Sequence, residues 1–263
     1  MYYLRLLTAF IRLSAQEEMA YRANFFISLL HALLNLGTGA LGMIVLFGQV
    51  KTIQGWNLTS SLVLLGVYLT LQALRGLFIG PSLETLAGVD GEVWTGRLDF
   101  IVLRPVNIQF LASLRYWRLF ALIDLLLGAG VLGVAIAQLH QSLTFPDLLE
   151  FLIALIASTL ILYAVLLFFA GLVFWSPGFL FTWVFNGLFQ MARYPVGLYP
   201  GWARLVLTWI VPVGIMTTIP AEAISGRLPI AVLAGSVLLA VLLAIGASIV
   251  FQVGLRRYAS ASS

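Results

Sequence analysis

The sequence is dominated by long apolar stretches that carry almost no charge. A membrane-spanning helix needs about 20 predominantly apolar residues. Six candidate stretches, of which the fifth is the shortest, occur at about residues 24–47, 60–80, 117–139, 148–175, 179–191 and 229–254. Charged residues make up 9% of the chain, whereas a soluble domain averages about 25%. The sequence therefore predicts an all-α integral membrane protein with six transmembrane helices.

One further apolar segment, residues 205–219, is difficult to count as a span. It is 15 residues long and is interrupted by Pro212. Non-helical backbone is tolerated at membrane depth where it is buried against protein. We therefore predict a re-entrant segment, within a region of about residues 193–228, rather than a seventh span, which remains the alternative.

The distribution of basic residues favours six spans over seven. With six spans and a cytoplasmic N-terminus, the cytoplasmic side holds Arg5, Arg12, Arg22, Arg75, Arg97, Arg104, Arg115, Arg118, Arg256 and Arg257. The outer side then holds Lys51, Arg193, Arg204 and Arg227. This asymmetry follows the positive-inside rule, and a seventh span would move the last two arginines outside. Residues 23–263 are thus predicted to form one transmembrane domain with a cytoplasmic C-terminus.

Residues 1–22 have the pattern of an amphipathic interfacial helix. Arg5, Thr8, Arg12 and Gln16 form a narrow polar stripe at helical spacing, and leucine, isoleucine and phenylalanine cover the rest. Such a helix lies in the membrane interface with its arginines toward the lipid head groups. Two interpretations stay open: a simple anchor, or an elbow helix that leads into the first span and packs on neighbouring subunits.

The longest polar stretch lies between the second and third spans. Residues 81–118 hold eight of the 24 charged residues of the chain, and two glycine-containing turn signals occur within them. A short apolar run, residues 98–103, precedes Pro105, which ends or redirects the chain. The pattern is consistent with a short amphipathic helix held at the membrane face by Trp94 and Phe100. Composition alone would also allow an ordinary solvated loop.

Two segments carry a resemblance to a known family. The segment TGRLDFIVLRPVN at residues 95–107 resembles the signature loop of a family of ABC transporter permeases related to the type-2 exporters. The segment ARYPVGLYP at residues 192–200, with IVPVG at 210–214 and IPAEA at 219–223, is similar to that family's region before the last span. The two segments occur in the family's order, and the six spans and N-terminal helix also agree with it.

The resemblance implies a permease subunit that is not itself an enzyme and binds no cofactor. Its cytoplasmic loop, about residues 81–116, would contain a coupling helix that docks into an ATPase subunit, and its re-entrant segment would face outward. The coupling residues would be Glu92, Trp94, Arg97, Leu98, Asp99, Phe100, Arg104 and Pro105.

The partners follow from the same resemblance. The only lysine is Lys51, and no P-loop motif surrounds it, so this sequence has no phosphate-binding loop of its own. ATP and magnesium would be bound by the ATPase subunit, and the complex would contain two copies of that subunit. A second permease, the same or a sister chain, would complete the complex in the plasma (inner) membrane of a prokaryote. No nucleic acid is expected as a partner.

A few polar residues and prolines lie inside the predicted third span or in the predicted re-entrant region. Asp124 lies in the third span, where a carboxylate marks a paired or functional site, and we expect it to form a salt bridge with Arg118 or Arg75, with a substrate or proton role as the alternative. The gate candidates of the re-entrant region are Pro212, Pro220 and Glu222. We expect that glutamate to pair with Arg193, Arg204 or Arg227. No residue pattern predicts a metal site.

The sequence thus predicts an ATP-driven exporter of a hydrophobic or amphipathic substrate. A secondary transporter is the first alternative, although the spans carry few ionisable residues for ion coupling and show no internal repeat. A membrane enzyme acting on lipids would need a catalytic constellation that is not visible. A non-transporting scaffold remains open.

Overall fold

The computed structural model describes residues 2–139, 143–226 and 228–258, and these residues form helices without any β-strand. The helices are α1 (Tyr2–Ala20), α2 (Arg22–Gln49), α3 (Leu58–Leu74), α4 (Gly80–Leu83), α5 (Asp99–Val102), α6 (Ile108–Leu114), α7 (Ala121–Gln138), α8 (Phe145–Leu172), α9 (Phe181–Met191), α10 (Gly201–Leu205), α11 (Val213–Ile224) and α12 (Ile230–Arg257). A π-helical turn, Arg75–Ile79, makes α3 continuous with α4. A second π-helical turn, Val206–Ile210, extends α10. The predicted all-α class is confirmed.

Five helical segments are long and apolar enough to cross a membrane within the described parts of the chain. They are Ala23–Gln49, Leu58–Leu86, Ala121–Gln138, Phe145–Leu172 and Ile230–Arg257. A helix rises about 1.5 Å per residue, so even the shortest of these approaches the roughly 30 Å of a bilayer core. Four of the six predicted spans overlap these segments closely, and the third span begins four residues later than predicted because Trp117 lies in a non-helical linker.

The predicted fifth span, residues 179–191, needs correction. These residues form α9, an 11-residue helix of about 16 Å, which is half of what a span requires. The remaining candidate is the pair Gly201–Ile210 and Val213–Ile224, which are bent by 84° at a short break and form either one broken span or a re-entrant loop. Pro212 lies in this break, where the missing backbone N–H of proline interrupts helical hydrogen bonding.

The bent pair follows a segment that lies near the α2–α3 connection. A Cβ atom placed on Gly197 would be 2.4 Å from Oε1 of Gln54, so the segment before α10 lies beside residues 50–57. The loop at residues 81–116 follows the opposite end of α3. The region before the last span and the long polar loop are therefore associated with opposite ends of the helical bundle.

The helices begin where side chains can satisfy their first backbone N–H groups. Asn57 and Ser60 form a reciprocal capping box at the start of α3, and Thr144 and Asp147 do the same for α8. Asn107 accepts a hydrogen bond from the first turn of α6. Such caps remove orphan donors at helix ends, which explains why these helices start where they do.

Two helix pairs form most of the core, α8 with α12 and α3 with α7. The α8–α12 pair is parallel: Gly171 lies against the backbone of Phe251, and Gly254 lies against Phe174. Helix α11 packs on α8 and α3. In contrast, 17% of the most apolar window of α2 is buried, so α2 leaves most of its apolar surface available to lipid or to a partner.

Helix α1 docks on the chain's own linker before α7. The backbone N–H of Trp117 donates to Ser14 Oγ at 3.1 Å, and the backbone N–H of Phe120 donates to Glu18 Oε2 at 3.1 Å. The predicted polar stripe, from Arg5 to Gln16, is exposed. The structure therefore supports the elbow interpretation to the extent that α1 leads into α2 and packs on its own chain.

The approach of α3 to α7 leads to a prediction about stability. A Cβ on Gly66 would lie 2.9 Å from backbone atoms of Leu132, whereas a Cβ on Gly130 would meet nothing within 4 Å. Gly66→Ala should therefore destabilise the folded chain by about 1–3 kcal/mol through overpacking. Gly130→Ala, with the same gain in helix propensity, should be neutral or stabilising. Thermal unfolding in detergent compares the two, and equal stabilities would contradict the close approach.

Candidate functional site

The loop between α3 and α7 is a folded element and not a flexible connection. Gly88 and Gly96 have positive φ values of 85° and 73°, which glycine adopts at little cost. Gly91 has no room for a side chain, since a Cβ there would lie 2.5 Å from the carbonyl oxygen of Ala87. Three glycines thus allow tight turns that shape the loop.

The inner side of this loop holds a buried ion pair and apolar side chains. The carboxylate of Glu92 pairs with the guanidinium of Arg115, and both side chains are about 90% buried. Leu98 and Ile101 belong to the hydrophobic core. The backbone N–H of Leu98 also donates to the carbonyl of Glu92 at 3.0 Å. These contacts hold the short helix α5 in one orientation.

The outer side of the loop presents apolar side chains to the surroundings. Phe100 is 72% exposed, Leu103 is 81% exposed and Trp94 is 54% exposed. Val102, Arg104 and Pro105 are also exposed. We name this surface, formed by Trp94, Phe100, Val102, Leu103, Arg104 and Pro105, the loop face. An exposed apolar surface of this kind usually marks a contact with a protein or a membrane.

The predicted coupling residues divide into two groups. Trp94, Phe100, Arg104 and Pro105 lie on the loop face, as a docking surface requires. Leu98 and Glu92 do not: both are buried, and they support the loop from within.

The predicted pair Arg97 and Asp99 also has an internal role. Arg97 donates to the backbone oxygen of Asp90 and to Thr95 Oγ1, so it stabilises a turn of the loop. Asp99 is half-buried beside Tyr258, the residue after α12. Burial, together with this carboxylate, raises the pKa of the Tyr258 hydroxyl to about 12. Reversing both charges would therefore disturb the loop itself.

Leu103 and Val102 belong to the loop face, although they were not among the predicted coupling residues. Residues 98 and 101 are buried and residues 100 and 103 are exposed, which is the three-residue spacing of one helical turn. The apolar run at 98–103 contained that signal, but its residues are apolar on both sides, and only packing distinguishes the two.

A polar cavity of about 520 Å³ lies among α2, α3, α7 and α9. The side chains that matter for its chemistry are His31, Asn35, Gln72, Asp124, Asn186 and Arg193. Most of them belong to segments that sequence analysis treated as apolar spans. The cavity therefore places several hydrogen-bonding and ionisable groups within the helical bundle.

Two arginines organise the wall of this cavity. Arg75 pairs with Glu84, donates to Oδ1 of Asn186, and lies over the ring of Phe185. These contacts connect the end of α3 to the start of the loop and to α9. Burying a guanidinium is costly unless it is ion-paired or hydrogen-bonded, and Arg75 is both.

The second arginine, Arg193, follows α9 and reaches across to α2. It donates to Asn35 Oδ1 at 3.2 Å and lies over the ring of Tyr68 at 5.4 Å. Thr38 Oγ1 is 3.5 Å away. Among the residues whose side chains are described, no carboxylate lies within ion-pair distance of Arg193. Its charge is thus compensated by amide, hydroxyl and aromatic groups.

The predicted salt bridge of Asp124 is wrong. Arg75 pairs with Glu84 instead, and Arg118 forms no ion pair with Asp124 although all three line the cavity. The group that interacts electrostatically with Asp124 is His31 on α2. At the cavity mouth, burial raises the pKa of the Glu18 carboxyl, against the opposing effect of two backbone N–H groups.

The gate candidates lie in the bent pair. Pro212 precedes α11 at the bend, and Pro220 is buried inside α11. Of the partners expected for Glu222, Arg193 binds α2 and Arg204 donates to the carbonyl of Gly197. Arg227 lies outside the described residues.

No group of His, Asp and Glu residues in the described parts of the chain could hold a metal ion. The candidate site thus consists of the exposed loop face and a polar cavity in the bundle.

Comparison with known families finds one that covers most of the chain. The family model described as "ABC-2 family transporter protein" matches residues 33–262. Comparisons with curated proteins and with solved structures each find no match. The matched region includes the loop face and most of the cavity lining, but not Glu18, Ile27, Ser28 or His31.

The buried ion pair of the loop generates a prediction. Glu92→Ala leaves the Arg115 guanidinium buried without its partner, which should cost on the order of 3 kcal/mol and loosen the loop. Asp90→Ala removes an exposed carboxylate two residues away and should have no such effect. Limited proteolysis of residues 81–116 in membrane vesicles measures the difference. Cleavage of the two variants at the same rate would show that the pair does not hold the loop.

Proposed function

The chain belongs to the ABC-2 transporter family, and we propose that it is the permease subunit of an ATP-driven exporter. Proteins of this family are membrane components of transporters that usually work with an ABC ATPase. The observation that carries the proposal is the loop face, where a buried framework holds Phe100 and Leu103 outward. Energy is supplied from outside this sequence, because the only lysine, Lys51, lies outside any P-loop motif.

The loop face is suited to fit into a groove on the ATPase. Two large apolar side chains and Trp94 supply the contact area, and the exposed Arg104 lies at their edge. Central apolar anchors surrounded by charge are typical of energetic centres in protein interfaces. ATP and magnesium are bound by the ATPase, which is present in two copies.

Contacts behind the loop face connect it to the spans. Tyr258 lies beside Asp99 at the end of α12, and the indole of Trp94 lies beside Gly178 in the α8–α9 connection. Arg75 connects the start of the loop to α3 and α9. Movement of the ATPase groove would thus be transmitted to several helix ends at once.

A second permease completes the complex. The most apolar windows of α2, α7 and α12 are 17%, 17% and 22% buried, so these helices have extensive surface for lipid and for another permease. That permease is either the same chain or a sister chain. The complex lies in the plasma (inner) membrane of a prokaryote, with both termini and the loop face in the cytoplasm and the bent pair toward the outside.

Topology can be tested directly because the chain contains no cysteine. Asp90→Cys lies in the loop, and Thr52→Cys lies in the α2–α3 connection at the other end of α3; both positions are exposed. In intact cells, a membrane-impermeant maleimide should label residue 52 and not residue 90. In inside-out vesicles the pattern should reverse. Labelling of residue 90 from outside would overturn the proposed orientation.

Docking predicts a loss of partner after a single substitution on the loop face. Leu103→Asp places a charge in the apolar contact and should reduce co-purification of the ATPase by at least about tenfold, since the loss of one interface anchor exceeds 1.4 kcal/mol. Leu143→Asp, in the connection between α7 and α8, is the matched control and should retain the ATPase. The measurement is a mild-detergent pull-down of the tagged chain with mass spectrometry of bound proteins.

The same pull-down distinguishes the alternatives. A P-loop ATPase in near-stoichiometric amount supports the exporter. Wild-type chain that purifies without an ATPase would contradict the proposal and favour a secondary transporter or a scaffold.

A further inference from the structure

The cavity contains polar atoms that the protein itself does not pair. Asn35 Nδ2, Gln72 Oε1, Arg75 Nε and Arg193 Nε are buried without a hydrogen-bond partner, and all four residues line the cavity. Three of these atoms are donors, and two belong to arginines. Unpaired buried polar groups are rare and need a ligand or water to satisfy them. The surplus of donors indicates an anionic group.

Charge varies along the cavity in the direction of α3. Arg193 bonds to Asn35 and lies over Tyr68, whereas Asp124 lies between Ala121, which approaches Gly76, and Gly128, which approaches Thr70, and so about one helical turn further along α3. Four residues of helix correspond to about 6 Å along the axis. Among the described side chains, Arg193 thus lies at one level of the cavity without a carboxylate partner. Asp124 lies at the other level without an arginine partner.

The other ionisable groups that line the cavity are Glu18, His31, Arg75, Glu84 and Arg118. Glu84 is neutralised by its ion pair with Arg75. At the mouth, Glu18 accepts a hydrogen bond from the backbone of Phe120, and Arg118 lies nearby. A ligand with one negative and one positive group, separated by a few ångströms, is therefore the best match to the cavity.

The surroundings of the mouth indicate that this ligand also has an apolar part. Glu18 and Phe120 border the cavity and also an adjoining groove formed by Met19, Phe25 and Phe26. Phe26 is 68% exposed. The groove is almost wholly apolar, so it can receive a hydrocarbon chain while the polar group enters the cavity.

We propose that the cavity binds the head group of a zwitterionic amphiphile, with its anionic group at Arg193 and Asn35 and its cationic group at Asp124. The hydrocarbon chain lies in the groove of Met19, Phe25 and Phe26. That this amphiphile is the transported substrate rests on the proposed exporter function, whereas its binding does not. The assignment narrows the substrate class from any hydrophobic or amphipathic molecule to a zwitterionic one.

The test measures binding to the purified full-length chain, without ATP or ATPase. The probes are lysophosphatidylethanolamine, lysophosphatidylglycerol with an anionic head group, dodecylammonium with a cationic one, and free phosphoethanolamine without a chain. Native mass spectrometry or calorimetry gives each affinity. We expect lysophosphatidylethanolamine to bind most tightly, and free phosphoethanolamine to bind at least about tenfold more weakly because it buries no chain.

Three variants locate the two charges. Arg193→Gln should weaken both phosphate-containing lipids by about tenfold, through loss of a charge-assisted hydrogen bond. Asp124→Asn should weaken lysophosphatidylethanolamine and leave lysophosphatidylglycerol unchanged or improved. Arg204→Gln is the control, because Arg204 lies outside the cavity and bonds to Gly197. Unfolding temperatures identify any variant that fails to fold. If Arg193→Gln fails to fold, Asp124→Asn still tests the proposal, because Asp124 makes no ion pair among the described side chains.

Each outcome has a definite meaning. Equal affinity for all lipids, or no response to Asp124→Asn, would overturn the zwitterion assignment. Tight binding of free phosphoethanolamine would show that the ligand is a soluble zwitterion and exclude the amphiphile. All of these results leave the ATPase pull-down unaffected, so failure of the cavity proposal and failure of the exporter proposal are separately visible.

Discussion

The contacts of the Arg75 guanidinium are the interactions on which most of the candidate functional site depends. The guanidinium sits at the π-helical turn after α3, where it pairs with Glu84, bonds to Asn186 and lies over Phe185. An unpaired charge at this depth would be costly, so the partners must stay in place. Glu84 lies near the start of the loop and Asn186 lies in the middle of α9, so the Arg75 side chain positions both.

The two candidate functional regions, the loop face and the cavity, lie on either side of this arginine. In one direction the chain enters the loop, whose buried Glu92–Arg115 pair and core leucine hold the loop face outward. In the other direction Arg75 forms part of the cavity wall. A change in the loop that displaced Glu84 would alter the pairing of Arg75 and hence the cavity. The path from Glu84 through Arg75 to the cavity is short, so a shift of the Glu84 side chain could reach the cavity without movement of a whole helix.

Prediction from sequence succeeded for features set by local pattern and was less successful for packing. The apolar runs correctly indicated the helices near residues 24–47, 60–80, 148–175 and 229–254, because a predominantly apolar run of that length has few other stable arrangements. Residues 179–191 were apolar enough for a span but form only α9. The loop at residues 81–116 was recognised as a distinct element, yet the exposed Leu103 and the buried Leu98 could not be distinguished, since both are leucines within one apolar run.

By itself, the sequence determined the class of the protein, the positions of most long apolar helices and the lack of a P-loop motif, since these depend on composition and on residues close together along the chain. Only the tertiary structure decided which polar residues meet. Arg75 pairs with Glu84 nine residues away, but its other partner, Asn186, is 111 residues distant, and Arg193 reaches back 158 residues to Asn35. Such pairings depend on how helices rotate and approach one another, which is set by close contacts such as that of Gly66 with Leu132. The polar cavity is a product of that packing, because its members come from segments that individually satisfy the pattern of an apolar helix.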